Sequence, residues 1–442
     1  MSRLVTAWLH RSLAITLLSL LGACDNGTNL AFECVDDEGN PLPLQPESLR
    51  VDLGTPTFSN PTMGTNPLFP VDQVTSYLQL GTVDGQPFRA EVTLLPTTRI
   101  ITWNGQSIEV VESQYVAFLG GRIHETAIDW YAQADDNSVW YLGEDVFNYA
   151  DGVVADLDGT WQAGRDGTAA MIMPGSPQVN DVYRPENICG VVFEEVTVTA
   201  IGVTVNGPTG TVTGAIDVKE LHQDGAYEDK TFAPGYGEFT TGFPGDNESM
   251  AVAVPVDALS TPPPVELATI LAGTDSIFDA AQAGNWTKAS NRLAALTTAW
   301  NAFGAGSHPP LLEAQMNSAV AALTTAVNAQ QAANARHRAI GVAYAAHDFR
   351  LRHLPPAEID LARLELWARQ VQVDAAGSDA GGVLGDAAMI EWVRDRVVQS
   401  LGTADRAQLN SLVTGLRAAA NARNYTASTQ AATGLRTLIA GI

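Results

Sequence analysis

Basic residues are scarce. Only 24 Lys and Arg stand against 49 Asp and Glu, a formal charge of −25 over 442 residues. That balance excludes nucleic-acid readers, which neutralise phosphates with basic patches. Lysine is nearly missing; Lys219, Lys230 and Lys288 are the only three, and none sits in a recognisable catalytic setting. No Gly-x-Ser-x-Gly elbow, His-Glu-x-x-His, Cys-x-x-Cys or phosphate loop occurs. These absences lower the expectation of an enzyme. No second apolar run of about 18 residues follows the N-terminal segment, so no later helix is expected to span a bilayer. Apolar content of 45% with 17% charged residues nevertheless describes a folded chain, long enough for two or three cores.

Cysteine is rare as well, with three residues in all. Arg3 and Arg11 precede a short apolar stretch, Ser12–Leu21, and then Leu21-Gly22-Ala23-Cys24. This resembles the bacterial lipoprotein cleavage site. The resemblance implies a signal peptide over 1–23 and a diacylglycerol on Cys24 (palmitate among its acyl chains). That places the body in the bacterial cell envelope, with the bilayer as a partner and the leaflet open. Cys34 and Cys189 remain as an even pair in an oxidising compartment, and a disulfide between them is expected.

The acidity is uneven. Residues 24–255 hold 34 acids and 8 bases, whereas 256–442 hold 15 and 14. After a tether and tail over 24–65, the acidic half reads as period-two strands from 66 to 243. Phe88, Ala90, Val92 and Leu94 alternate with Arg89, Glu91 and Thr93. Asp84-Gly85, Asn104-Gly105, Asp151-Gly152 and Asn206-Gly207 carry hairpin-turn chemistry, because a type I′ turn needs positive φ at both central residues. An antiparallel meander, closed as a curved sheet or barrel, is the expectation. Asp156-Leu157-Asp158-Gly159 lacks the spacing of a calcium loop and reads as a tight turn.

Several segments here resemble a known family. Asn66-Pro67-Leu68-Phe69-Pro70 opens the likeness. Asp129-Trp130-Tyr131-Ala132-Gln133 and Val139-Trp140-Tyr141-Leu142-Gly143-Glu144-Asp145 carry it. Ile172-Met173-Pro174, Asp181-Val182-Tyr183-Arg184 and Ala233-Pro234-Gly235-Tyr236-Gly237 complete it. Over about residues 66–243 the chain is similar to an uncharacterised family of bacterial secreted or lipoprotein β-domains. The likeness implies a fold and an envelope location but no activity. Cys189 departs from the family pattern.

Around Ala134-Asp135-Asp136-Asn137 a hairpin register can be read. It sets Tyr131 opposite Trp140 and Asp129 opposite Leu142. One face then carries Glu125, Asp129, Tyr131, Trp140, Leu142 and Glu144. The other carries His124, Ile128, Trp130, Val139 and Tyr141 and is the better core. Carboxylates beside aromatic rings suit a cationic or polar organic ligand. The plainer reading is cross-strand structure alone.

Residues 244–265 read as a Pro-rich linker, with Pro255 and Pro262-Pro263-Pro264. Beyond it, apolar spacing of three and four predicts an all-α bundle over 266–442. Its stripes include Ala289, Leu293, Leu296 and Trp300, and Ile390, Val393, Val397 and Leu401. Turns at Ala283-Gly284-Asn285, Ala376-Gly377-Ser378-Asp379 and Ala422-Arg423-Asn424 suggest a repeated helical hairpin, with a fourth copy at Ala335–Ala339. His337 and His347 share a predicted helix face with Ile340 and Tyr344. As metal ligands they stand about 15 Å apart along the axis and need partners from other helices. The arginines of 336–352 are expected to pair with Glu358, Asp360 and Glu365 or to dock on the acidic half.

The whole reads as α+β in two regions. The leading expectation is a membrane-anchored binding or scaffold protein, without a cofactor, that meets a small cationic ligand or a protein partner. Two alternatives stay open: a periplasmic metal handler, and a hydrolase using Asp129, Glu144 or Glu186.

Overall fold

The computed structural model describes residues 34–442 except Pro244. The expected signal peptide over 1–23 and the lipidation site Cys24 lie outside these residues. Among the described residues, fourteen strands precede eight α-helices. The first meander comprises β1 (Ser76–Val83), β2 (Gln86–Trp103), β3 (Gln106–Leu119), β4 (Arg122–Gln133), β5 (Val139–Ala150) and β6 (Val153–Asp156). Two short strands, β7 (Trp161–Gln162) and β8 (Ala170–Met173), fold back on β5. The second meander comprises β9 (Val182–Ile188), β10 (Val192–Gly207), β11 (Gly210–His222), β12 (Tyr227–Ala233), β13 (Gly237–Phe243) and β14 (Asp246–Val254).

The strand order is β6-β5-β4-β3-β2-β1-β14-β13-β12-β11-β10-β9. Two antiparallel meanders are therefore joined at their middle, where β14 pairs with β1 from Ser76↔Val254 to Thr82↔Asn247. The segment expected to be a linker is thus half strand, and the joint to the helices narrows to the prolines before Val265. Hydrogen bonding does not close the sheet. It curls nonetheless, because Phe69 touches both Tyr131 on β4 and Phe232 on β12.

Turn chemistry explains the hairpins. Asp84-Gly85, Asn104-Gly105 and Asp151-Gly152 all have positive φ at both residues. Asn206-Gly207 does not turn. It ends β10, and Pro208-Thr209 make the two-residue loop, since Gly207 pairs with Gly210. Cys34 and Cys189 are joined as a disulfide with a Cα–Cα distance of 5.2 Å. The bond fastens the tail beside Leu42, Phe193 and Leu221.

The helices are α1 (Val265–Gln282), α2 (Trp286–Phe303), α3 (Pro310–Asn328), α4 (Ala332–Arg350), α5 (Pro356–Ala376), α6 (Ala380–Val397), α7 (Thr403–Asn421) and α8 (Tyr425–Ile439). None is long and apolar enough to cross a membrane. They form four hairpins with a common turn. Gly284, Gln330, Ser378 and Arg423 each adopt positive φ, one residue before the next N-cap. The side chains of Asn285, Asp379 and Asn424 then accept from the backbone N–H of Lys288, Gly382 and Ala427. The fourth copy thus sits at Gln330-Gln331, not at Ala335–Ala339, which lie inside α4.

The helices cover the outer face of the sheet. Leu78, Ala251 and Val252 share a core with α1–α4. Val116, Phe118 and Ile123 share one with α5–α8. On the polar side of the β2 alternation Glu91 is buried there and Arg89 is partly buried. Arg89 meets Asp348 at 2.7 Å. Glu91 receives Arg396 at 2.9 Å and Arg363 at 3.5 Å, and both arginines also reach Asp360. Three acids and three arginines close a neutral network between the two regions. Burial drives the Glu91 carboxyl up, but Arg363, Arg89 and Arg396 outweigh it and hold it well below the ordinary range. Among the described residues none of Arg336, Arg338, Arg350 and Arg352 forms an ion pair with Glu358, Asp360 or Glu365, and Arg352 donates to the Asp257 carbonyl in the linker instead.

Candidate functional site

The inner face of the sheet carries what is unusual about this chain. Along β4 and β5 the register is Asp129↔Glu144, Tyr131↔Tyr141 and Ala132↔Trp140. It differs from the simple hairpin register because Leu142 and Gly143 together oppose Trp130, a bulge. Gly143 has φ 123°, and a Cβ there would lie 2.2 Å from the Trp161 carbonyl on β7. Glycine is what lets β7 cross so closely. The bulge turns Trp140 and Leu142 away from the site and brings Tyr141 in. Trp140 packs in the core against Trp103 and donates to the Ser138 hydroxyl at 2.8 Å.

Tyr131 and Tyr141 stack at 4.8 Å, and the Tyr141 hydroxyl donates to Asp129 at 2.8 Å. Glu125, Asp129, Glu144 and Glu186 form a row of carboxyls reaching from β4 to β9, and no base is among the causes of their shifts except Lys230, which reaches Glu186. Burial alone lifts Glu125 to about 7. Burial lifts Asp129 to about 7 against the Tyr141 hydrogen bond. Burial, then Glu186 and Asp129, push Glu144 well up, and Glu144 and Glu186 share a hydrogen bond. Burial and then Glu194 raise Glu186 to about 8.

On the other half of the inner face two bases answer four acids. Lys230 Nζ lies 2.6 Å from Glu220 and under 4 Å from Glu228 and Glu238. His222 faces Glu194 through Nδ1 and Glu220 and Glu228 through Nε2. Burial opposes its charge, but hydrogen bonds to Glu194 and Glu228 prevail and raise it to about 11. Glu194, Glu220 and His222 present donor atoms within 4.8 Å of one another. In the metal-free chain Lys230 and the protonated His222 hold these carboxylates.

His337 and His347 do not come together. His337 is exposed, with Nδ1 3.0 Å from Gln370 Oε1. His347 is buried beside Arg350, and burial followed by that arginine lowers it to about 3, so it stays neutral. Neither belongs to a group of metal donors among the described residues.

A cavity of about 160 Å³ lies between the inner face and the Asn66–Val74 segment. Phe69, Tyr77, Tyr115, Tyr131 and Tyr236 surround it, with Asp129 and Glu238 in the wall. The covering segment is held by Asn66, whose amide donates to the carbonyls of Asn137 and Pro174. The Pro67 carbonyl accepts from Gly235 N–H at 2.7 Å. The Asn66–Pro70 and Ala233–Gly237 motifs thus meet at one end of the site. Asp129 lines this cavity, whereas Glu144 and Glu186 do not.

Tyr77 and Tyr115 were not singled out from the sequence, nor were the inward Glu220, His222, Glu228, Lys230 and Glu238. A signal existed: Val218-x-Glu220-x-His222 and Glu228-x-Lys230-x-Phe232 place charge on the same alternation as core residues. No family model, curated protein or solved structure matches this chain.

Proposed function

We propose that this chain binds a small organic cation, such as a quaternary or alkylated ammonium group, inside its β region. The observation that carries the reading is the cage of four tyrosines and Phe69 around Asp129 and Glu238. Aromatic faces attract cations, most strongly where water is displaced. The carboxylates supply the counter-charge, and the excess of acids over bases on the inner face favours a positive guest. The helical region acts as a platform, and Cys24 tethers the body to the membrane of a bacterial envelope. The likeness to secreted and lipoprotein β-domains is consistent with that location. No chemical step is assigned.

Titration calorimetry with choline and its neutral isostere 3,3-dimethylbutanol tests the charge preference. Choline should bind at least about tenfold more tightly. Its affinity should rise with pH through about 7, where Asp129 ionises, and fall with salt. Tyr131→Leu should weaken choline and leave the isostere unchanged. Equal affinity for the two compounds would remove the proposal.

A further inference from the structure

A second cavity, of about 790 Å³, opens between the sheet and the helices. It is independent of the tyrosine cage and lies on the opposite face of the sheet. Its walls are mostly apolar, and its volume is that of a drug-sized site at an interface between two regions. Phe118 from β3 and Trp367 from α5 stack at 5.8 Å with 10° between their planes, and Tyr344 meets Trp367 edge-on at 6.0 Å. These flat surfaces favour a flat guest.

The polar groups of the wall are asymmetric. Arg89 is consumed by Glu91 and Asp348, and Arg122 by Asp379. Arg338 is different. Its guanidinium meets only the Asn334 side chain, at 3.3 Å, and it forms no ion pair among the described residues. His337, one residue before, has its Nδ1 engaged by Gln370, which leaves Nε2 unengaged. The two acids of the wall do not answer Arg338. Asp374 accepts from Gln370 and lies near Arg122, while burial and then Asp374 push the Asp386 carboxyl well above its ordinary range. Gly341 adds room, since a Cβ there would meet nothing within 4 Å.

We propose that this interface cavity binds an aromatic anion, its rings against Trp367 and Tyr344 and its acidic group at Arg338. An exposed arginine without an ion pair, beside a roomy apolar wall, is complementary to a negative amphiphile.

The probes are 8-anilinonaphthalene-1-sulfonate and N-phenyl-1-naphthylamine, which share the ring body and differ in the sulfonate. Fluorescence titration of the folded full chain should show one saturable site for each. Arg338→Ala should weaken the sulfonate about tenfold and the neutral amine less than about twofold. Gly341→Phe should fill the space and weaken both. Gly341→Ala should weaken neither, and thermal midpoints should show all three variants folded. Absence of saturable binding, equal loss of both probes in Arg338→Ala, or unchanged binding in Gly341→Phe would overturn the assignment.

Discussion

Glu125 gives the sharpest test of the inner face, because burial alone perturbs it. Its carboxyl rises from 4.5 to about 7. Below pH 4.5 both the folded and the unfolded chain hold the proton, and the group has no effect on stability. Between 4.5 and 7 the unfolded chain releases the proton while the folded chain retains it, so folding stability falls through that window. Above 7 the penalty is fully developed, at about 3 kcal/mol for a shift of this size. Glu125 is only half-buried, so water screens part of this, and about 1.5 kcal/mol is the working figure. Glu125→Gln removes the charge and keeps the shape. The variant should match the parent near pH 4.5 and be more stable by about 1–2 kcal/mol at about pH 8.5. Urea unfolding followed by tryptophan fluorescence reads both conditions. An equal gain at both pH values would mean that packing, not charge, is responsible. A loss at high pH would mean that an unseen cation pairs with Glu125, and the reasoning would fail.

Three further outcomes are expected. Arg363→Met should cost about 3–5 kcal/mol in the same unfolding assay, because it leaves Asp348, Asp360 and Glu91 short of counter-charge in a buried network; a change below about 1 kcal/mol would show the network to be redundant. Cys34→Ser should lower stability by about 2–5 kcal/mol, as it frees a constraint across 155 residues, and a thermal melt under reducing conditions should give the same shift in the parent chain. Cys24→Ala should abolish labelling by palmitate in a lipoprotein-competent host, and retained label would refute the tether.

The outline of the fold was legible because local rules decide it. Asp84-Gly85 and Asn104-Gly105 can hardly do anything but turn, and the stripes of α2 and α6 fall on the buried faces. The α+β layout follows from such rules, and the Cys34–Cys189 bond follows from the even pair of cysteines left once Cys24 is set aside. The site was only half legible. Glu125, Asp129, Tyr131 and Glu144 do share the inner face, but Trp140 does not, because a bulge at Gly143 depends on β7 arriving from 18 residues downstream. Alternation on β2 was equally silent about the partners of its polar side. Arg89 and Glu91 meet partners on α4, α5 and α6 that lie far away in the chain. Local spacing carries no information about which distant strand or helix comes to rest on a given face.

The central pairing of β1 with β14 has a consequence for how the chain is made. One long edge of the first meander has no neighbour until Asp246–Val254 has been synthesised. Until then β1 offers free N–H and C=O groups to any strand nearby, including the same segment of another copy. If the chain is exported in order, N-terminus first, this half-built sheet emerges before its last strand does. A holding chaperone, or a pause that lets β14 arrive, then protects the product.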